Sequence, residues 1–118
     1  MCVEDRIIDT LVRLDPLSDL PRTGWLLRGV RPCESIADHS FGVAMVAMLL
    51  TDALRAEGET VDGERVLRMA LVHDAPEART GDVPMPVKTA EAESVLDRID
   101  EGLAGDLLPD ALYASWQE

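Results

Sequence analysis

The stretch from Leu71 to Asp82 reads LVHDAPEARTGD. Apolar residues lead into it at helical spacing. Val66, Leu67, Met69, Ala70, Leu71 and Val72 form the buried side of a helix that Asp62 can cap. Pro76 has no amide hydrogen, and its ring would clash with the Val72 carbonyl, so this helix kinks or stops there. Residues four apart share a helix face, which lines His73 up with Met69 and Glu77. His73, Asp74 and Glu77 thus emerge as a polar cluster where an apolar helix breaks, ahead of a short loop ending in Asp82.

Upstream, Ser35 and Asp38 make an S-x-x-D capping pattern before the run from Phe41 to Leu50. His39, the other of the chain's two histidines, sits in the first turn of that helix. A helix apolar all round predicts a central, buried element. It fades into RAEGET at 55–60. Val3, Ile7, Ile8, Leu11 and Leu14 form one face of a first helix, which Asp15-Pro16 ends. The segment PRTGWLLRGVRPCES at 21–35 reads as irregular and basic, with Arg22, Arg28 and Arg31 around Trp25.

Downstream, Pro84 and Pro86 stiffen the loop GDVPMPVK. A fourth helix is expected from Thr89 to Ala104, with Val95, Leu96, Ile99 and Leu103 as its stripe. Pro109 suits the first turn of a short last helix over 110–116. There is no repeat and no convincing strand. The expectation is one all-α domain over residues 1–118, built around its second and third helices. Tyr113 and Trp116 come just before the chain stops, and large aromatics there usually pack on something further along. A longer architecture cut short is therefore expected.

Composition narrows the function. Apolar residues make up 47% of the 118 and aromatics 3%, so the core rests on Leu, Val, Ile, Ala and Met. A formal charge of −12 argues against nucleic-acid backbones and anionic membranes as partners. It leaves room for a small phosphorylated ligand, because a divalent cation and a few arginines reverse the field locally. The run from Phe41 to Leu50 is too short to span a bilayer. The opening MCVEDRIIDT is no secretory signal. Cys2 and Cys33 make no disulfide framework, so both are expected to be reduced and the protein cytoplasmic. No Cys/His cluster supports Cys33 as a metal ligand.

Two neutral imidazoles and a carboxylate can hold a divalent cation and leave positions open for water and substrate. A second carboxylate, Glu77, could orient or deprotonate that water. Each residue also has an ordinary structural reading. A histidine on an apolar helix is more often a core or capping residue. Glu77 suits a solvated helix end, the arginines suit a surface, and Trp25 suits a core. Periodicity and spacing leave both readings open.

The quoted motifs, ESIADHS and LVHDAPEARTGD, together resemble the HD-domain superfamily of metal-dependent phosphohydrolases. Within it they are similar to the bacterial 5′-deoxynucleotidase type and its eukaryotic HD-domain-containing relatives. The His-Asp pair follows His39 by 34 residues, and Glu77, Gly81-Asp82, Pro84, Pro86 and Lys88 come next in the family's order. The segment RTGWLLRGV also resembles the family. The resemblance runs from about Leu11 to Trp116. It implies an all-α HD bundle in which His39, His73 and Asp74 bind a divalent metal (Mn, Co, Fe, Zn or Mg). It implies that Glu77 activates the attacking water and that Asp82 lies near the substrate's sugar. It places Arg22, Trp25 and Arg28 near the phosphate and base, with Lys88 as a phosphate contact. The implied activity is hydrolysis of nucleoside 5′-monophosphates, deoxyribonucleotides above all.

The family completes its metal site with one more Asp on a later helix. None of Asp97, Asp100, Asp106 or Asp110 stands in that context. The bundle is thus expected to lack the family's C-terminal helices. Two other readings stand beside the enzyme: a non-catalytic module of the same fold that binds a nucleotide or a partner, and a helical domain whose histidines are core residues. The side left uncovered is expected to make the chain a homo-oligomer, a dimer first.

Overall fold

The structure, a computed structural model, describes residues 2–118. Seven α-helices follow one another: α1 Val3–Leu14, α2 Thr23–Leu27, α3 Ile36–Ala56, α4 Gly63–Val72, α5 Glu77–Thr80, α6 Ala90–Leu107 and α7 Asp110–Gln117. Short 3-10 turns lie at Asp15–Ser18 and Met85–Val87. Among the described residues there is no strand, only an isolated bridge between Pro21 and Ser35. The expected all-α class holds.

Local chemistry sets most helix ends. The Ser35 hydroxyl accepts from the Asp38 amide at 3.0 Å, and the Asp38 carboxylate accepts from the Ser35 amide at 2.9 Å. Asp62 caps α4 through the Arg65 amide, and Thr89 caps α6 through that of Ala92. α4 stops at Val72, and Pro76 stands at the head of the separate short α5. α6 runs on to Leu107 rather than stopping at Ala104, because its last turn carries core residues. The basic segment, expected to be irregular, contains the five-residue α2.

The core lies at the far end of α4, not around α3. Val72, Ala75, Ala104, Leu107 and Leu108 form it, with Leu14, Leu103, Leu112, Tyr113 and Trp116 packed against them. Burying a leucine such as Leu107 (2% exposed) contributes about 2 kcal/mol. Tyr113 and Trp116 pack against this core, stacked with ring centroids 6.0 Å apart, and both stay partly exposed.

The expectation of a buried second helix is also corrected. α3 lies along α4 and the 15–18 turn, so only one of its sides has a neighbour. Ile36, Ser40 and Thr51 fall on that side and are buried. Phe41, Val46, Leu49 and Leu50 are 57–67% exposed. α1 behaves likewise: Val3, Ile7, Ile8 and Leu11 are exposed, and Leu14 alone of that face reaches the core. By length and composition, α3 passes as long and apolar enough to cross a membrane, with mean hydropathy 1.2 over 18 residues. It reaches that length because it continues past the Phe41–Leu50 run with Ile36, Ala37, Thr51, Ala53 and Leu54, and a core helix passes the same test.

Candidate functional site

The site forms where the start of α3 meets the end of α4. His39 sits in the first turn of α3, its amide donating to the Ser35 carbonyl at 3.0 Å. His73 caps α4, its amide still donating to Met69. The two rings lie 5.7 Å apart, edge to face. His73 Nδ1 is 2.6 Å from the Ala70 carbonyl oxygen. A carbonyl only accepts, so that nitrogen carries the proton and Nε2 keeps its lone pair. His73 Nε2 then faces Asp74 Oδ2 at 3.1 Å, and His39 Nε2 faces the same oxygen at 3.7 Å.

The donor atoms of His39, His73 and Asp74 all lie within 4.8 Å of one another. Asp74 Oδ2 is shielded from solvent yet has no hydrogen-bond partner, because the imidazole approaches lack hydrogen-bond geometry. A buried carboxylate oxygen without a partner costs free energy unless a cation meets it. Two imidazole nitrogens and this oxygen therefore fit a divalent metal. Cys33 lies outside the group.

The protonation pattern follows from the crowding. Burial pushes the Asp74 carboxyl up, but His73 beside it, with His39 and Arg22, outweighs burial and holds it below the ordinary carboxylate value. The Asp74 carboxylate raises His73 against a smaller opposing effect of burial. Glu77 is pushed up to about 8, first by burial and then by the charges of Asp74 and Asp82. Its Oε2 also lacks a hydrogen-bond partner. A carboxyl that titrates near neutrality can exchange a proton with water at the pH where an enzyme works.

Backbone hydrogen bonds bring the basic segment to this pocket. The Arg22 amide donates to the Glu34 carbonyl at 3.0 Å, and the Ile36 amide to Leu20 at 2.9 Å. Arg22 then lies 3.9 Å from each of Asp74, Asp82 and Glu34, bonded to none of them at hydrogen-bond distance. Asp82 clamps the start of α2. Its Oδ2 accepts from the Thr23 amide at 2.8 Å, and its carbonyl accepts from the Thr23 hydroxyl at 2.7 Å.

A cleft of about 550 Å³ results. Arg22, Trp25, Arg28, His39, His73, Asp74, Glu77, Asp82 and Lys88, every residue singled out from the sequence as a site candidate, line this one cleft. Arg31 does not. Pro84 of the quoted loop also lines it, as do Gly24, Glu34, Val83 and Met85, which no sequence signal singled out. Glu34 precedes His39 by five residues and lies outside the helix, so no periodicity pointed to it. Asp97 and Asp100 line a side pocket with Glu77 and Lys88, apart from the three donors. Burial first, then Asp97, raises the Asp100 carboxyl.

Known proteins share this arrangement of helices. The human 5′-deoxynucleotidase HDDC2 is 34% identical over 108 residues, covering 86% of this chain and 50% of its own length. A protein from Pyrococcus horikoshii OT3 superposes with a TM-score of 0.82 at 37% identity, over 93% of this chain and 61% of its own. A predicted metal-dependent phosphohydrolase from Magnetospirillum magnetotacticum superposes with a TM-score of 0.69 at 30% identity, over 98% of this chain and 58% of its own. The chain spans about half the length of the curated relatives it matches. A family model described as HD domain matches residues 14–118, and the chain belongs to that family.

Proposed function

We propose that this chain carries the metal-binding half of a phosphohydrolase that releases phosphate from nucleoside 5′-monophosphates, with deoxyribonucleotides preferred. The observation that carries the reading is the convergence of two imidazole Nε2 atoms on the unpartnered Asp74 oxygen, in a cleft that also holds Arg22 and Lys88. The 5′-deoxynucleotidase names of the relatives support the substrate class.

His39, His73 and Asp74 would hold the cation, with Mn, Co, Fe, Zn and Mg all compatible with such a donor set. When bound, a divalent ion there acidifies water and polarises a phosphoryl oxygen. Glu77 takes the proton from the attacking water in its ionised form; its carboxyl is pushed up to about 8 in the metal-free protein, and a cation held by its neighbours would favour ionisation. Arg22 offers its guanidinium to the phosphate, and Arg28 and Lys88 add positive charge around the cleft of an otherwise acidic protein. Trp25 gives the base an aromatic surface, and Asp82 holds the turn that carries it. The unpaired Cys2 and Cys33 suit a reducing cytoplasm. The bare apolar faces of α1 and α3 support self-association.

The test is phosphate release from deoxynucleoside monophosphates with Mn²⁺ or Co²⁺. His73→Ala should abolish it, and release that persists unchanged in that variant would sink the proposal. One observation favours a second reading. The described residues bring only three donors together, where a stronger site would hold four. On that reading the chain binds metal and nucleotide without turnover, and any clear turnover by it excludes the idea.

A further inference from the structure

The short helix α2 is weakly anchored. It has five residues, none of them buried, too few to hold a helix without outside support. Asp82 holds its first residue, Thr23. The second tie comes from Trp25, whose indole nitrogen donates to Glu34 Oε1 at 3.1 Å. Trp25 is 49% exposed, so packing alone leaves half of its surface unconstrained. Glu34, in contrast, stands on firm backbone. Its carbonyl accepts from the Arg22 amide, Ser35 next to it closes the capping box of α3, and Ile36 beyond is fully buried. Glu34 Oε1 also lies 3.9 Å from Arg22 Nε and 3.9 Å from His39 Nδ1, too far for a hydrogen bond to either. Its short, directed contact is the one to Trp25.

We propose that Glu34 is a positioning residue for the base end of the cleft, fixing the polar edge of Trp25 so that the ring stands as a preformed wall for a nucleobase. The proposal rests on the reading of Trp25 as the base's aromatic surface. A half-exposed indole with a free edge samples several rotamers. Binding a base to it would then carry the cost of ordering the ring, which a fixed ring avoids. The hydrogen bond uses the indole N–H at the ring's edge and leaves the π-face free to stack.

The ordinary alternative is a surface contact that only steadies α2. The charge of Glu34 also acts on any anionic ligand in the cleft, so an uncharged probe, deoxyadenosine, isolates the effect on Trp25. Its Kd is read by NMR from the nucleoside's own base protons, with chelator present. E34A should weaken binding about fivefold, the worth of one hydrogen bond. E34Q keeps an accepting oxygen and should bind nearly as the wild type does. In a W25F background, where the donor is gone, E34A should change little further. Lowered Tm in E34A with unchanged deoxyadenosine affinity overturns the proposal, as does an E34A effect of full size in W25F. Should E34A not fold, E34M takes its place, with similar length and no strong acceptor, and the same expectations. Wild-type protein that binds no deoxyadenosine overturns the base-site reading, and this inference with it, while Co²⁺ binding and phosphate release still test the metal site separately.

Discussion

Trp116 donates its indole hydrogen to the backbone carbonyl of His73 at 3.2 Å. The last helix is thereby tied to the end of α4, where a carbonyl has no partner within its own helix. Trp116 thus braces His73, a proposed metal ligand 43 positions earlier.

W116F leaves a smaller aromatic ring against Tyr113 and loses this hydrogen bond. It should cost about 1 kcal/mol and lower Tm by a few degrees. Co²⁺ affinity should fall with it, because His73 is less firmly held. Thermal melts and Co²⁺ titration check both. Lowered stability with unchanged metal affinity would show that the brace serves the core alone.

E77Q removes the proposed proton acceptor and leaves the three proposed metal ligands intact. Turnover should drop by about 10²- to 10⁴-fold while Co²⁺ binds about as well as before. Single-turnover phosphate release measured beside Co²⁺ titration separates the two effects.

Metal-free protein should be most stable in mild acid. Between 4.5 and about 8 the folded state holds a proton on Glu77 that the unfolded chain has lost, so stability falls as pH rises through that window. His73, raised above 6.5, contributes stability that is complete below that value and is lost as pH climbs through its folded value. Asp74, lowered below 3.8, contributes stability present above that value and lost as pH drops through its folded value. In melts with chelator present, Tm should decline from mild acid toward pH 8, and E77Q should flatten most of the decline. A wild-type Tm that rises across that window would refute the buried-Glu77 reading.

D82A should cost about 1–2 kcal/mol, as the loss of a helix cap does, because the Thr23 amide loses its acceptor. α2 carries Trp25, so the KM for nucleotide should rise more than kcat falls. D82N, which keeps an accepting oxygen, should recover most of the stability. Chemical denaturation and steady-state kinetics on the pair test this.

L107A and L49A should diverge. Leu107 is 2% exposed in the core, and its truncation should cost about 3 kcal/mol. Leu49 is 61% exposed on α3, and its truncation should change the monomer by less than about 0.5 kcal/mol while weakening self-association. Denaturation at low protein concentration and sedimentation across a concentration series read the two effects. A large loss in L49A at low concentration would mean that α3 is covered in the monomer.

The features legible in the sequence act within a few residues of one another. The α1 limits, the Ser35–Asp38 capping box, the cap at Asp62, the start of α6 near Thr89 and the break before Pro76 all rest on contacts spanning at most four or five positions. That is why period and capping signals found them. The nine candidate site residues were legible because their order along the chain matches a family's, and the structure gathers all of them into one cleft. What lies opposite each helix is not local, and only the tertiary structure decided it. An apolar α3 looked central, yet among the described residues it packs mainly on α4 and the 15–18 turn, and Phe41, Val46, Leu49 and Leu50 stay exposed. Trp116 found its partner in α4, and Glu34 found Trp25, Arg22 and His39, through the folding of separate segments onto each other. Periodicity could place His39 and His73 on their helices. The aiming of both Nε2 atoms at one buried oxygen of Asp74 depends on how α3 is laid across the end of α4, a relation no local pattern encodes.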